Sequence, residues 1–264
     1  MHCIEFSLAE MSGTGQTHRS APTFLMKALS PLRKRFGVDL VIQDIDAYAL
    51  PKKLVVMDLD STLIQAEVID ELAKEAGVGE KVVEITRRAM NGEIYFPDAL
   101  RERVHLLKGL PVTTLETVYK RILFTPGTIE FIATLKKRKY KTAVLTGGFD
   151  YFAGRYKEKL KLDYAFSNGL EIKDNLITGE VSGEIVDGQK KVSLMEEIAM
   201  TEGIELNSVV AIGDGANDLP MIKRAGLGIA FNAKPSVAAA APNTITQTSL
   251  TCILHLLGIS EAEI

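Results

Sequence analysis

Four short apolar runs constrain this 264-residue chain more than any other feature: Leu54-Val55-Val56-Met57, Ala143-Val144-Leu145, Val209-Val210-Ala211-Ile212 and Gly228-Ile229-Ala230-Phe231. Rich in Val and Ile, and too short for helices, they read as strands buried on both faces. Helical patterns lie between them. The expected fold is therefore α/β, a doubly wound, mostly parallel, Rossmann-like sheet.

The first run ends near Asp58 and the second begins near Thr142. A crossover needs only about a dozen residues, and structureless loops that long are uncommon. The interval should hold a unit of its own. Val68, Ile69, Leu72, Ala73 and Ala76 recur at helical spacing, as do Val82, Val83, Ile85 and Ala89, then Leu100, Val104 and Leu107, then Leu115, Val118 and Ile122. Gly77, Asn91-Gly92, Gly109-Leu110-Pro111 and Pro126-Gly127 punctuate them. This predicts a helical bundle over 69–125, inserted into a core made of 51–68 and 126–264. Asp174-Asn175, between two apolar-alternating segments at 170–173 and 176–178, predicts a hairpin. Residues 1–50 form a small N-terminal α/β extension, with strands expected at 3–8 and 38–45 and a helix around 24–36.

Composition excludes several classes. Lys and Arg number 31 against 34 Asp and Glu, a net charge of −3, so nothing calls for nucleic acid. At 46% hydrophobic and 25% charged residues the profile is globular rather than disordered. No apolar run reaches the ~18 residues of a membrane span, and the first thirty residues lack a secretory pattern. Cys3 and Cys252 are too few for a disulfide framework or a zinc cluster. A cytoplasmic location is the default expectation.

The chemistry should lie at the carboxyl ends of the strands, where ligands sit in open α/β sheets. Asp58-Leu59-Asp60-Ser61-Thr62 follows the first strand directly. Two carboxylates one residue apart are costly to desolvate together, and a divalent cation such as Mg²⁺ would offset that cost. A carboxylate can also attack phosphorus. The plainer alternative is an acidic turn in which Ser61 or Thr62 caps the next helix. Gly213-Asp214-Gly215-Ala216-Asn217-Asp218 ends another strand with a second carboxylate pair, and Thr146-Gly147-Gly148 ends a third with a hydroxyl and backbone amides suited to phosphate. Each alone could be a turn. Together they bring complementary chemistry to one edge of one sheet.

Those segments, with Phe149 and Lys191, resemble in order and spacing the four motifs of the haloacid-dehalogenase-like phosphatases. The resemblance spans about 52–257, and within that family it is closest to the members that act on O-phospho-L-serine. It implies an Mg²⁺-dependent phosphomonoesterase that works through an aspartyl-phosphate. Asp58 would be the nucleophile and Asp60 the general acid, then base. Mg²⁺ would be held by Asp58, Asp214 and the backbone carbonyl of Asp60, with Asp218 completing the surroundings. Thr146, Gly147, Lys191 and Asn217 would bind the phosphate side. In the cap, Glu67 would meet the substrate ammonium and Arg103 its carboxylate, with Met90 and Phe96 as apolar neighbours. Unaided, Lys190-Lys191 would read as solvated surface, and Glu67 and Arg103 as an ordinary charged helix face.

The family usually has serine where this chain has Thr146, which keeps open another small phosphomonoester, or phosphoryl transfer to another alcohol such as homoserine. A receiver-like binding module, with the same acidic site but no cap, is a more remote alternative, and an amino-acid sensor in 1–50 another. Residues 1–50 resemble part of an ACT-type module, whose open sheet edge would be covered by the core or by a second chain in a homodimer. The cap is expected to open for substrate and close against water.

Overall fold

The computed structural model describes residues 35–41, 43, 48–90 and 93–264. Seven strands form one sheet in the order β4-β3-β2-β1-β5-β6-β7. They are β1 (Leu54–Met57), β2 (Lys141–Phe149), β3 (Tyr164–Lys173), β4 (Leu176–Ser182), β5 (Val209–Gly213), β6 (Leu227–Phe231) and β7 (Thr244–Ile245). Every pairing is parallel except β3 with β4. This is the expected doubly wound α/β architecture.

β1 is four residues long, fully buried and central. Met57 aligns with Val144 on one side and Ile212 on the other. The chain leaves β1 toward β2 and later returns to β5, so the switch in winding direction lies beside the carboxyl end of β1. Asp58 N donates to Ile212 O there, at 2.9 Å.

Alternate strand residues face opposite sides. Leu54, Val56, Ala143, Leu145, Val209 and Ala211 pack with Leu194, Met195 and Ile198. Val55, Met57, Val144, Val210 and Ile212 face the other way, into a larger cluster.

The predicted helical insert is present as α1 (Val68–Glu75), α2 (Gly79–Met90), α3 (Phe96–His105) and α4 (Thr113–Arg121). Their buried faces carry Leu72, Ala73, Val82, Leu100, Val104, Leu115 and Val118, at the spacing a helix requires. These side chains belong to the same apolar cluster as Met57 and Ile212. The sheet is flanked by α5 (Thr128–Lys137), α6 (Asp150–Leu160), α7 (Gly188–Thr201), α8 (Leu219–Arg224), α9 (Pro235–Ala240) and α10 (Cys252–Leu256). Among the described residues, no helix is long and apolar enough to cross a membrane.

One local expectation is met and another needs correction. The expected hairpin is present as β3 and β4, and β3 also pairs with β2, so the hairpin extends the main sheet. Its turn is as expected, with Asp174 and Asn175 at φ 52° and 59°. The strand expected at 38–45 is not one in its described part, 38–41 and 43. That segment is held by side chains instead. Asp39 accepts hydrogen bonds from Thr246 N at 2.6 Å and Thr246 Oγ1 at 2.8 Å, and Gln43 Nε2 donates to Leu256 O at 3.1 Å. The strand expected at 3–8, and the helix around 24–36 except for its last two residues, lie outside the described residues.

Candidate active site

Three strand ends and one helix converge beside β1. Lys191 is one turn inside α7, whose N-terminus is set by Asp187: its carboxylate accepts from Lys190 N at 2.8 Å. That cap turns Lys191 inward while Lys190 pairs with Glu184 outside. Lys191 is fully buried. Its Nζ donates to Asp58 Oδ1 at 2.5 Å and to Asp218 Oδ1 at 2.6 Å.

Asp58, Asp214 and Asp218 are all buried, and each offers a carboxylate oxygen within 4.8 Å of the others. Thr62 Oγ1 donates to Asp214 Oδ1 at 3.1 Å, and Gly215 N donates to Asp218 Oδ2 at 2.9 Å. Burial, then the Asp218 charge, pushes the Asp214 pKa up to about 7. Burial first, and Asp218 second, holds Asp58 well above the usual carboxylate range, against the pull of Lys191. Burial works against the Lys191 proton, but Asp218 and Asp58 outweigh it and raise its pKa. Negative charge thus exceeds what one ammonium neutralises. A hard, oxygen-seeking divalent cation suits this donor set.

Asp60 sits at the other side of Asp58. Its Oδ1 accepts from Val68 N at 3.3 Å, at the first turn of α1. Burial, then Glu67, raises its pKa well above normal. The backbone turns sharply at Ser61, φ 56°, and Ser61 Oγ donates to Glu67 Oε1 at 2.8 Å. The capping expected from Ser61 or Thr62 therefore falls to Asp60, while Thr62 is spent on Asp214.

The β2 end supplies the loop Thr146-Gly147-Gly148. Thr146 is buried, and its Oγ1 accepts from Gly148 N at 2.9 Å. Gly148 has to be glycine: a Cβ there would lie 2.8 Å from Asp60 Oδ2 and 3.1 Å from Thr146 Oγ1. A Cβ on Gly147 would crowd the tip of Phe96, at 2.9 Å, and touch Val186 O at 3.5 Å, so the Phe96 ring lies over the loop. Asn217 is half-buried on the β5 loop, its Oδ1 beside Gly215.

Glu67, at the start of α1, and Arg103, on α3, lie near enough to Asp60 for their charges to interact. Arg103 on α3 donates through Nε to Ala99 O at 3.2 Å. Burial lowers its pKa, and Asp70, Glu67 and Asp60 oppose that. The side chain of Met90 lies outside the described residues.

One residue escaped sequence reading. Asn168 on β3 is completely buried, donates from Nδ2 to Gly147 O at 2.7 Å, and accepts from Val186 N at 2.8 Å. It ties the Thr146-Gly147-Gly148 loop to the segment leading into α7. A polar residue on the inward side of a strand pattern was the available signal. Asp218, expected to complete the metal surroundings, lies within the same carboxylate group as Asp58 and Asp214.

A family model described as haloacid dehalogenase-like hydrolase matches residues 55–223. The chain belongs to that family. Within it, the chain is 52% identical to a phosphoserine phosphatase of Archaeoglobus fulgidus, over 88% of this chain and 68% of that one. It is 50% identical to a phosphoserine phosphatase of Methanocaldococcus jannaschii, over 78% of this chain and 98% of that one. A solved structure of a phospho-aspartyl intermediate analogue of phosphoserine phosphatase superposes with a TM-score of 0.74, at 50% identity. It covers 78% of this chain and 99% of that one.

Proposed function

We propose that this chain is a phosphoserine phosphatase, hydrolysing O-phospho-L-serine to L-serine and phosphate through an aspartyl-phosphate on Asp58. The observation that carries this is the pairing of Asp58 with Lys191, across from Asp60, on the family's framework. The 50% identity to a phosphatase whose solved structure mimics that intermediate supports it.

A carboxylate oxygen of Asp58 attacks phosphorus, and the bond from phosphorus to the serine oxygen breaks. Asp60, whose pKa burial and then Glu67 raise well above the usual carboxylate range, gives its proton to the departing alkoxide. Water then attacks the aspartyl-phosphate, Asp60 takes the proton back, and phosphate leaves with Asp58 restored. Lys191 holds one oxygen of the nucleophile and shares the charge of the phosphoryl group. Asp58, Asp214 and Asp218 would hold Mg²⁺, with the Asp60 carbonyl as a further oxygen. The ion supplies charge neutralisation to the transferring group. Thr146, Gly147 and Asn217 would line the phosphate.

Residues 69–125 serve as the cap over a core of 51–68 and 126–264. Glu67, just before the first cap helix, would take the substrate ammonium, and Arg103 in the cap its carboxylate, with Phe96 and Met90 closing the apolar side.

The test is phosphate release from O-phospho-L-serine with and without Mg²⁺, using Asp58→Asn as control and phosphothreonine and an aryl phosphate as competitors. Metal-dependent release that favours phosphoserine and vanishes in Asp58→Asn supports the reading. Activity on the aryl ester alone overturns the roles of Glu67 and Arg103.

A further inference from the structure

The cap is joined to the core by more than its two linkers. Gly109 N donates to Ile177 O at 2.8 Å, Ile177 N to Leu110 O at 2.9 Å, and Val112 N to Asn175 O at 2.9 Å. Pro111 and Leu176 form an antiparallel bridge between them. The segment between α3 and α4 is thus bridged to the outer edge of β4. Gly179, at φ 89°, lets β4 run under the end of α3: a Cβ there would lie 3.0 Å from Lys108 Cβ and 3.3 Å from the His105 backbone.

A second set of contacts fixes α4. Tyr151 OH donates to Glu116 Oε2 at 2.9 Å, Arg155 lies 3.5 Å above the Tyr151 ring, and the rings of Tyr119 and Tyr156 are 5.0 Å apart. Tyr151, Arg155 and Tyr156 are on α6, which follows the Thr146-Gly147-Gly148 loop directly. Apolar packing is continuous from the sheet into α3 and α4.

We propose that the β3–β4 hairpin holds this half of the cap seated through the whole catalytic cycle, and that it sets the distance between the Thr146-Gly147-Gly148 loop and Arg103. The rigid path is short. Gly147 is tied to β3 by Asn168, β3 pairs with β4, β4 holds 109–112, and 109–112 follows the helix that carries Arg103. The hairpin then acts as a gauge of substrate length: a phosphate and a carboxylate fit only at one separation. Substrate enters without lifting of α3 and α4. This rests on the reading of Arg103 as the carboxylate partner.

Two experiments test it. Residues directly opposite on an antiparallel bridge lie about 4.5–5.5 Å apart at Cα, which suits a disulfide. Pro111→Cys/Leu176→Cys is oxidised in the full-length protein, with each single-cysteine variant as control for Cys3 and Cys252. The oxidised double variant should keep kcat/KM for phosphoserine within about threefold of its reduced form, well under one power of ten in transition-state binding. A loss above about tenfold that reductant restores means that the cap must lift as a whole, and the proposal fails. It fails equally if the two thiols do not oxidise, since the segments are then not held together.

In the second experiment, Val112→Pro removes one strap hydrogen bond at a residue whose φ, −60°, proline accepts, and Val112→Ala keeps it. The proline variant should raise KM for phosphoserine about tenfold over the alanine variant, with KM for an aryl phosphate unchanged. Equal behaviour of the two variants overturns the gauge. If the wild-type chain cleaves the aryl ester but not phosphoserine, the reading of Arg103 fails, while the disulfide, assayed on the aryl ester, still decides whether the hairpin stays seated.

Discussion

Lys191 and Asp58 are separated by 133 residues in the chain and meet at 2.5 Å in the interior, with Asp218 on the other side of the same ammonium. A buried cation between two buried carboxylates is costly to break from one side. Removing it leaves uncompensated charge, with a penalty of about 3–5 kcal/mol. Lys191→Met should therefore lower the melting temperature as well as abolish turnover. Calorimetry with and without Mg²⁺ checks this, and Mg²⁺ should restore part of the stability but none of the activity.

Asp214 makes the metal-free protein sensitive to pH. Its folded pKa is about 7, above the ordinary value near 3.8, so the folded state holds its proton more tightly than the unfolded state. The stability this gives is fully present below pH ~4 and is lost as pH rises to about 7. Asp58 and Asp60 are shifted in the same direction. Chelator-treated wild type should lose more stability between pH 5 and 8 than Asp214→Asn does, by about 2–3 kcal/mol. Denaturation midpoints across that range would show it, and an equal slope in both proteins would refute it.

Gly148 and Gly147 should respond differently to alanine. At Gly148 the new methyl group meets Asp60 Oδ2 at 2.8 Å, so the proton donor must move. At Gly147 it meets the far end of Phe96, which can yield. Gly148→Ala should lower kcat by about 10²-fold, the scale of a displaced acid, and Gly147→Ala by much less. Steady-state kinetics on phosphoserine separates the two.

Arg103→Lys keeps the charge and loses the planar fork. KM for phosphoserine should rise about 10-fold or more, the size of a charge-assisted hydrogen bond, with little change for an aryl phosphate. Glu67→Gln should behave alike. Parallel changes on both substrates would remove these residues from the amino-acid end of the site.

The strands and helices that place the site were readable because burial repeats. Four apolar runs announced β1, β2, β5 and β6, and the spacing of Val68, Leu72, Val82, Leu100 and Leu115 announced the cap helices. Carboxylates at strand ends announced themselves by being costly to bury. What stayed hidden works through single side chains that join distant segments. Asn168 bridges Gly147 and Val186, and Thr62 reaches Asp214 across 152 residues of sequence. Such contacts have no period. The two-residue β7 and the cap segment on the edge of β4 are likewise too short to leave a pattern.

The central position of β1 also affects how the chain is made. Leu54 pairs with Lys141 and with Val209, so neither neighbour exists when β1 leaves the ribosome. At ~5–20 residues per second, β1 waits roughly 4–17 s for its first partner and roughly twice as long for its second. For that time a bare Leu-Val-Val-Met segment is exposed to solvent, and the nucleophile that follows it has no site to occupy. Birth of this catalyst is thus a late event, and the nascent chain is most in need of a chaperone while its cap is already complete.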